Sequence, residues 1–320
     1  MASTIHFGYF NYENGGILNP EDGPNGPFRY DYSGLVRVVG EGDAWPDILI
    51  MGEGYCYKEK RNKAARKAAS VMRKASGRKY KALVGTLPRN WSMAPPVVFV
   101  DERVVTIKRW HQPADADFAS HKRNLLEAIW KDSGMPFQVI AIHGDTDDGD
   151  MRLADAKKLR RYAESKTRCL VAGDWYCVPS GPKWEPRDLD DATVYDRRSS
   201  HVGRIEWEHK KDPGKLYKPE TRALDFLLGH WVEDEQYGDW GRREECIGFY
   251  DVAELARDAT PTQYRDPNLE GQTQALCYDR FLVNKEWSTG IVRGSYRVRP
   301  PLQPCHPSDH LMVDVTMEAV

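Results

Sequence analysis

Near the end of the chain a turn carries Ser308, Asp309 and His310 in a row, and the apolar run Leu311 to Val315 follows at once. A carboxylate and an imidazole at the mouth of a strand can bind a metal, orient a water or shuttle a proton. Other strand-like runs end in polar groups of the same kind. They are Ile5 to Phe10 before Asn11, Asp47 to Gly52 before Glu53, Phe137 to Ile142 before His143, and Cys169 to Gly173 before Asp174. Strand ends that converge on one edge of a sheet build a site. Singly, each is weak, because an acid after a strand is more often a turn residue or helix cap. His143 alone reads as a structural histidine. The acids Asp145, Asp147, Asp148 and Asp150 resemble a calcium loop, but Gly149 comes one place early and Ala156 stands where a bidentate Glu is required. That cluster reads as a solvated turn.

The elements that must position these groups alternate between strand and helix patterns. Residues 11–34 are rich in Gly, Asn, Pro and Asp and read as a long loop. Leu35 to Val39 fits a strand or a short buried helix equally. From Lys58 to Lys81 there are eleven Lys or Arg and one acid, Glu59. Within it Ala64, Ala68, Met72 and Ala75 form a narrow apolar stripe, the mark of a basic helix of about 24 residues lying close on a sheet. One-sided charge on a surface helix points to an anion-binding face, so Lys63, Lys67 and Lys74 are candidate phosphate contacts. Pro96 to Val100 and Val104 to Ile107 read as a hairpin around Asp101-Glu102-Arg103. Phe118 to Asp132 reads as a helix with Leu125, Ile129 and Trp130 on its apolar side, and Met151 to Glu164 as another. A third is expected to start at Pro219 and end at Gly229, with Leu224, Leu227 and Leu228 buried. Gln274 to Val283, Ser295 to Val298 and Leu311 to Thr316 read as strands. Residues 177–218 form a long charged loop.

With 320 residues, 40% hydrophobic and 29% charged, the chain has ample length for a core and an ordinary globular balance. No apolar run is long enough to span a membrane, and no basic region followed by an apolar one opens the chain, so a cytoplasmic protein is expected. The six cysteines form no C-x-x-C pair, which removes the usual signal for zinc or thioredoxin-like chemistry. Neither a repeat nor a linker is visible, and one α+β domain over residues 1–320 is expected.

Taken together, the polar strand ends carry a resemblance. Tyr9-Phe10-Asn11, Pro46 to Glu53, Val139 to His143 with Arg152, Ala172-Gly173-Asp174, Tyr278 to Val283 and Ser308-Asp309-His310 occur in the order and strand context of the endonuclease/exonuclease/phosphatase family. The chain resembles that family over nearly its whole length. The resemblance implies a four-layer αββα sandwich of two packed mixed sheets flanked by helices. It implies Mg²⁺ or Mn²⁺ bound by Glu53, with Asn11 and Asp309 nearby, Asp174 positioning the attacking water, and His310 oriented by Asp279 at the scissile phosphate. His143 matches a second histidine and Arg152 an arginine of the substrate side. Whether His310 is base, acid or phosphate ligand is left open. One departure stands out. The family's Gly-Asp-Phe-Asn is Gly173-Asp174-Trp175-Tyr176 here, so a phenol replaces an amide, and Tyr176 becomes a candidate substrate contact.

Three readings follow. The first is a metal-dependent nuclease, DNA favoured over RNA, supported by the resemblance and the basic helix. The second is a phosphoesterase of a small molecule, lipid or nucleotide, which the near-neutral charge permits. The third is an impaired binding module, for which Tyr176 is the only support. Fold alone does not choose among them.

Overall fold

Ile5, Phe7 and Tyr9 alternate with residues facing the other way and so place one apolar edge in the centre of the molecule. The computed structural model describes residues 3–18, 29–86, 95–111, 123–184, 205–207, 217–263, 276–303 and 305–319. In chain order the strands are β1 (Thr4–Asn11), β2 (Ile48–Gly52), β3 (Tyr80–Val84), β4 (Val97–Asp101), β5 (Val105–His111), β6 (Leu125–Trp130), β7 (Met135–His143), β8 (Arg168–Asp174), β9 (Ile205–Trp207), β10 (Tyr217–Pro219), β11 (His230–Asp234), β12 (Gly238–Glu244), β13 (Phe249–Asp251), β14 (Asp279–Asn284), β15 (Arg297–Val298) and β16 (Val313–Glu318). The principal helices are α1 (Tyr32–Val39), α2 (Glu59–Ser76), α3 (Gly149–Ala163) and α4 (Arg222–Leu228).

Two six-stranded sheets form the middle. One runs β15-β16-β1-β2-β4-β3 and the other β13-β14-β8-β7-β6-β5. Each is antiparallel except for one parallel pair at its centre, β1 with β2 and β7 with β8. Their inner faces meet in a core that includes Phe7, Ile50, Val139, Leu170, Phe281 and Val315. Phe7 lies edge-on to Phe137 and Trp287 there, with centroids 6.2 and 5.5 Å apart. A second core packs α1 and α2 on the outside of the first sheet, and a third packs α3 and α4 on the outside of the second. The layers are therefore αββα, as expected. Each fully buried Leu, Ile or Phe contributes roughly 1.5–3 kcal/mol, so these three cores carry most of the stability.

In α2 the stripe is wider than the spacing implied, because Ala65 and Ala69 are buried beside Ala64, Ala68 and Met72, and it is shorter, because Ala75 is exposed. Their small side chains let the helix lie close on the sheet. The helix has 18 residues rather than about 24, since Gly77 takes a left-handed φ of 69° and ends it. Arg78 then pairs with Asp47, the residue just before β2. The helix therefore starts at the edge where β2 ends and runs back to the opposite edge.

Several local expectations fail for identifiable reasons. Residues 97–107 do not form a hairpin. β4 pairs with β2 and β3, whereas β5 pairs with β6 in the other sheet. Asp101 fixes this crossover by accepting from the backbone of Lys79 and Arg103. Residues 125–130 are strand, not helix, with Leu126, Ala128 and Trp130 facing the inner core and Leu125 the outer one. Of the rest of that expected helix, 118–122 lies outside the described residues, and 123–124 and 131–132 are turn. Pro219 ends a strand, and the helix begins at Arg222. Leu35 to Val39 is helical. The 11–34 stretch holds a 3-10 turn at Glu13–Gly16 and the start of α1. Most of 177–218 lies outside the described residues, although Ile205–Trp207 within it pairs with Tyr217–Pro219. No helix among the described residues is long and apolar enough to cross a membrane. All six cysteines are free thiols.

Candidate active site

The parallel pairs decide where the chemistry sits. β1 ends at Asn11 beside Gly52 at the end of β2, and β7 ends at His143 beside Asp174 at the end of β8. Antiparallel β14 begins at Asp279, directly opposite Asp174. The turn before β16 brings Ser308, Asp309 and His310 to the same edge, where Ser308 Oγ donates to Asn11 O at 2.7 Å. Four strand ends and two strand starts thus meet on one rim of the sandwich. The two sheets touch there. Tyr9 Oη accepts the Asp174 N–H at 2.8 Å, and a Cβ at Gly52 would lie 2.6 Å from that oxygen. Only glycine leaves the room.

At the centre is the Asn11 amide. Its Nδ2 lies 3.1 Å from Glu53 Oε1, 3.1 Å from Asp174 Oδ2 and 3.4 Å from His310 Nε2. His310 Nδ1 is 2.7 Å from Asp279 Oδ2. Its Nε2 is 3.7 Å from Asp174 Oδ2. Glu53 Oε2 accepts the Asn14 N–H at 2.9 Å, and Asp174 Oδ1 accepts the Tyr176 N–H at 3.0 Å. Glu53, Asn14 and Tyr176 all take a positive φ, 53°, 49° and 48°. Such conformations cost about 1–3 kcal/mol each in non-glycine residues and cluster at functional sites.

Burial pushes the Glu53 carboxyl up, but His143, the Asn14 N–H, His310 and the Asn11 amide outweigh it and hold it below the usual range. Burial raises Asp279 to about 6, with Asp174 adding to the rise and His310 opposing it. For His310 burial opposes the charge, yet Asp279, Asp309 and Asp174 hold the imidazolium well above the ordinary histidine range. Three carboxyl groups, of Glu53, Asp174 and Asp279, surround the one imidazole of His310, and a divalent cation would neutralise the buried negative charge that gathers there. Asn11 Oδ1 and Asp279 Oδ1 are buried with no hydrogen-bond partner. Asp174, Asp279 and His310 have ligand atoms within 4.8 Å of one another and form a possible metal-binding group. For a hard ion, however, Glu53 is the better oxygen donor, and the Asn11 carbonyl would join it once the amide turned over, since Nδ2 is the end that faces Glu53 here. The His310–Asp279 contact is already occupied as a hydrogen bond. These residues fit a divalent cation.

The remaining candidates divide. Asp309 is exposed at the rim, beside the cluster but outside its hydrogen bonds, and its charge reaches His310 and Glu13. His143 is one strand from Asp174 and meets Tyr176 edge-on, centroids 5.3 Å apart. Tyr176 reaches the cluster, its hydroxyl donating to Glu53 Oε1 at 3.4 Å. Arg152 does not face the rim as a substrate arginine would. It is buried and bonded to Glu220 through Nε and Nη2, at 3.2 and 3.1 Å, and to Asp145 O at 2.7 Å. Its charge is matched inside the protein. Lys63, Lys67 and Lys74 are exposed. Only the start of their helix is near the rim.

Four positioning groups were given no role by sequence reasoning. Tyr9 lies two residues before Asn11 and so shares its strand face, a usable signal. Ser308 sits inside the Ser-Asp-His turn. Its Oγ also accepts from Glu13 N at 3.1 Å and His310 N at 3.3 Å. Thr262 Oγ1 accepts the N–H groups of Tyr278 and Asp279, each at 3.1 Å, and no local pattern marks it. His306 Nε2 donates to His310 O at 2.8 Å while its Nδ1 accepts from Leu302 N, which fixes its tautomer and braces the turn.

No protein-family model and no curated protein sequence matches the chain. Solved structures do. An endonuclease/exonuclease/phosphatase protein from Bacteroides vulgatus is 12% identical with a TM-score of 0.58, over 99% of this chain and 100% of that one. An AP endonuclease from Archaeoglobus fulgidus is 13% identical at 0.56, over 98% and 100%. A mannosyl-6-phosphatase from Bacteroides thetaiotaomicron is 14% identical at 0.54, over 97% and 98%. End-to-end coverage at that similarity means that the chain has the fold of the endonuclease/exonuclease/phosphatase proteins.

Proposed function

We propose that this protein is a divalent-metal-dependent phosphoesterase that hydrolyses phosphodiester bonds of nucleic acid, DNA before RNA, by in-line attack of water. The observation that carries the reading is the single hydrogen-bonded cluster of Asn11, Glu53, Asp174, Asp279 and His310, drawn from both sheets to one rim. Glu53 and the Asn11 carbonyl, with Asp309 at the rim, would hold the ion, and the ion would neutralise charge on the phosphoryl oxygens. Asp174 Oδ2 is a fixed acceptor that can align the attacking water and take its proton. His310, kept protonated by Asp279, offers Nε2–H toward a phosphate oxygen. Tyr176 supplies a phenolic donor beside Glu53. That complete set weighs against an impaired binding module.

Nucleic acid is favoured by the exposed lysines near the start of α2 and by fold neighbours that include an AP endonuclease. The neighbouring sugar phosphatase and the course of α2 away from the rim favour the competing reading, a small phosphoester. The test is purified protein with Mg²⁺, Mn²⁺ or EDTA, assayed on plasmid, single-stranded DNA, RNA and a chromogenic phosphodiester. Metal-dependent cleavage of DNA is expected. Turnover of only the small ester would favour the competitor, and no turnover with any metal would sink the enzyme reading.

A further inference from the structure

The two long helices treat their charges differently. In α3, Lys158 meets Asp155 at 2.6 Å and Arg160 meets Glu164 at 3.2 Å, three and four residues apart. In α2 the exposed cations are Lys63, Arg66, Lys67, Arg73 and Lys74, and among the described residues none of them has a carboxylate partner. Arg66 and Arg73 each give one donor to a backbone carbonyl, of Arg61 and Tyr80. The helix carries a single acid, Glu59, at its first residue. Its charge is therefore left to the outside.

At 3.6 residues per turn these five cations span about 120° of the helix circumference, opposite the buried Ala64, Ala65, Ala68, Ala69 and Met72. Beside them lies α1 in the same layer. Tyr32 Oη donates to Ala64 O at 3.4 Å, and Leu35, Val38 and Val39 share the core under α2. The basic face is thus the flank of a two-helix layer rather than a ridge that could enter a nucleic-acid groove. Exposed Arg37 of α1 adds a sixth cation. α1 itself holds no acid; Asp31, Glu41 and Asp43 lie beyond its ends, and Asp31 is engaged in capping the Gly34 N–H. Such a face calls for a polyanion. Two features weigh against nucleic acid there. α2 has no aromatic side chain on which a base could stack. From Lys63 to Lys74 the cations lead away from the rim, so a strand seated in the site leaves them behind. A lipid surface requires neither feature. It presents a plane of negative head groups, and roughly 4–8 Lys or Arg on a helix face match it.

We propose that the outward face of α1 and α2 docks on a bilayer surface that bears anionic lipid, with α2 parallel to the plane. That orientation brings all five cations of α2 within a screening length, about 8 Å, of the head groups. It leaves the rim free at one end of the helix. The attachment is peripheral, since no helix among the described residues is long and apolar enough to cross a membrane.

The test is flotation of the full chain with lipid vesicles at physiological salt. Vesicles of phosphatidylcholine with about one-third phosphatidylserine should carry the protein, and vesicles of phosphatidylcholine alone should carry at least about tenfold less. Each neutralised cation should weaken the partition about fivefold, so Lys67→Gln and Lys74→Gln together should weaken it about 25-fold. The charge-conserving pair Lys67→Arg and Lys74→Arg should bind as the parent does, which separates charge from packing. Raising the salt should release the protein. Equal binding to neutral vesicles, or anionic binding untouched by the Gln substitutions, overturns the proposal. It is overturned equally if vesicles do not bind while a long DNA duplex does and is lost in the Gln variants, an outcome that would assign the face to nucleic acid. Neither metal nor turnover enters the measurement, so failure of the phosphoesterase reading would appear separately, as the absence of metal-dependent hydrolysis.

Discussion

Charge reversal along α2 distinguishes a nucleic acid that crosses the rim from one that follows the helix. Lys63 and Lys74 are eleven residues apart in sequence, about 16 Å at 1.5 Å per residue. That is about two screening lengths at physiological salt. Because α2 starts at the rim and ends beside Asp47 at the far edge, Lys63 is the lysine near the cluster and Lys74 the distant one. A polynucleotide seated across the rim should touch Lys63 and miss Lys74. Each phosphate contact contributes a slope of about −0.9 in log affinity against log salt, or roughly 3.5-fold between 50 and 200 mM. Lys63→Glu should therefore raise KM for an oligonucleotide and flatten that slope by about one. Lys74→Glu should leave both unchanged. The assay is KM for a single-stranded and a duplex oligonucleotide at four salt concentrations, with a small chromogenic diester as control. Equal loss in both variants would mean that the substrate follows the helix and the rim-crossing geometry is wrong. No loss in either, with DNA cleavage intact, would mean that the substrate does not touch α2.

Glu53→Gln should raise the Mg²⁺ or Mn²⁺ concentration for half-maximal activity beyond the roughly 10–100-fold typical of losing an outer partner, with the melting temperature near that of the parent; an unchanged metal titration would remove Glu53 from the metal site. Asp279→Asn should lower kcat by about 10²–10⁴, the range for a positioned acid–base group, because His310 loses the carboxylate at 2.7 Å that keeps it charged; a kcat within threefold of the parent would contradict that role. Asp314→Asn should cost about 3–5 kcal/mol, as for breaking a buried ion pair, since buried Arg299 bonds Asp314 Oδ1 at 3.0 Å; denaturant unfolding measures it. Burial pushes the Asp314 carboxyl up, but His6 and Arg299 outweigh it and leave it below the usual range. Its stabilisation is then fully present above the unfolded value near 3.9 and is lost as pH falls through the lower folded value, so the variant should show a shallower loss of stability below about pH 4.

Four of the candidate site residues were legible because each sits where an apolar run stops, and such runs mark strand ends without any knowledge of the fold. Asn11, Glu53, His143 and Asp174 all lie at such ends, and the structure gathers them because both central pairs are parallel and finish on one rim. Partnership between strands was not legible. β4 and β5 are adjacent in sequence and equally apolar, and nothing local reveals that Asp101 turns the chain from one sheet to the other. Leu125 to Trp130 misled for a related reason. An apolar residue on the half-buried outer face, Ile129, hides in the sequence the inward alternation of Leu126, Ala128 and Trp130. Arg152 misled through chemistry, since its type and place fit a phosphate contact while its partner, Glu220, lies 68 residues away.

Tyr176 carries the difference between this rim and the pattern that its neighbours in the chain lead one to expect. A phenol is longer than a carboxamide, so a tyrosine at this position cannot simply occupy the amide's space. The backbone accommodates it by a positive φ, held by the N–H bond to Asp174 Oδ1. The ring then lies between His143, edge-on at 5.3 Å, and Tyr278 at 6.1 Å. This brings the hydroxyl to Glu53 from the side of β8 rather than from the sheet that carries Glu53. The substitution thus retains a hydrogen-bond donor at the cluster while losing the carbonyl that an asparagine would have offered a cation. In the proposed metal site, oxygen ligation would fall more heavily on Glu53 and on Asn11 Oδ1, the buried oxygen without a partner.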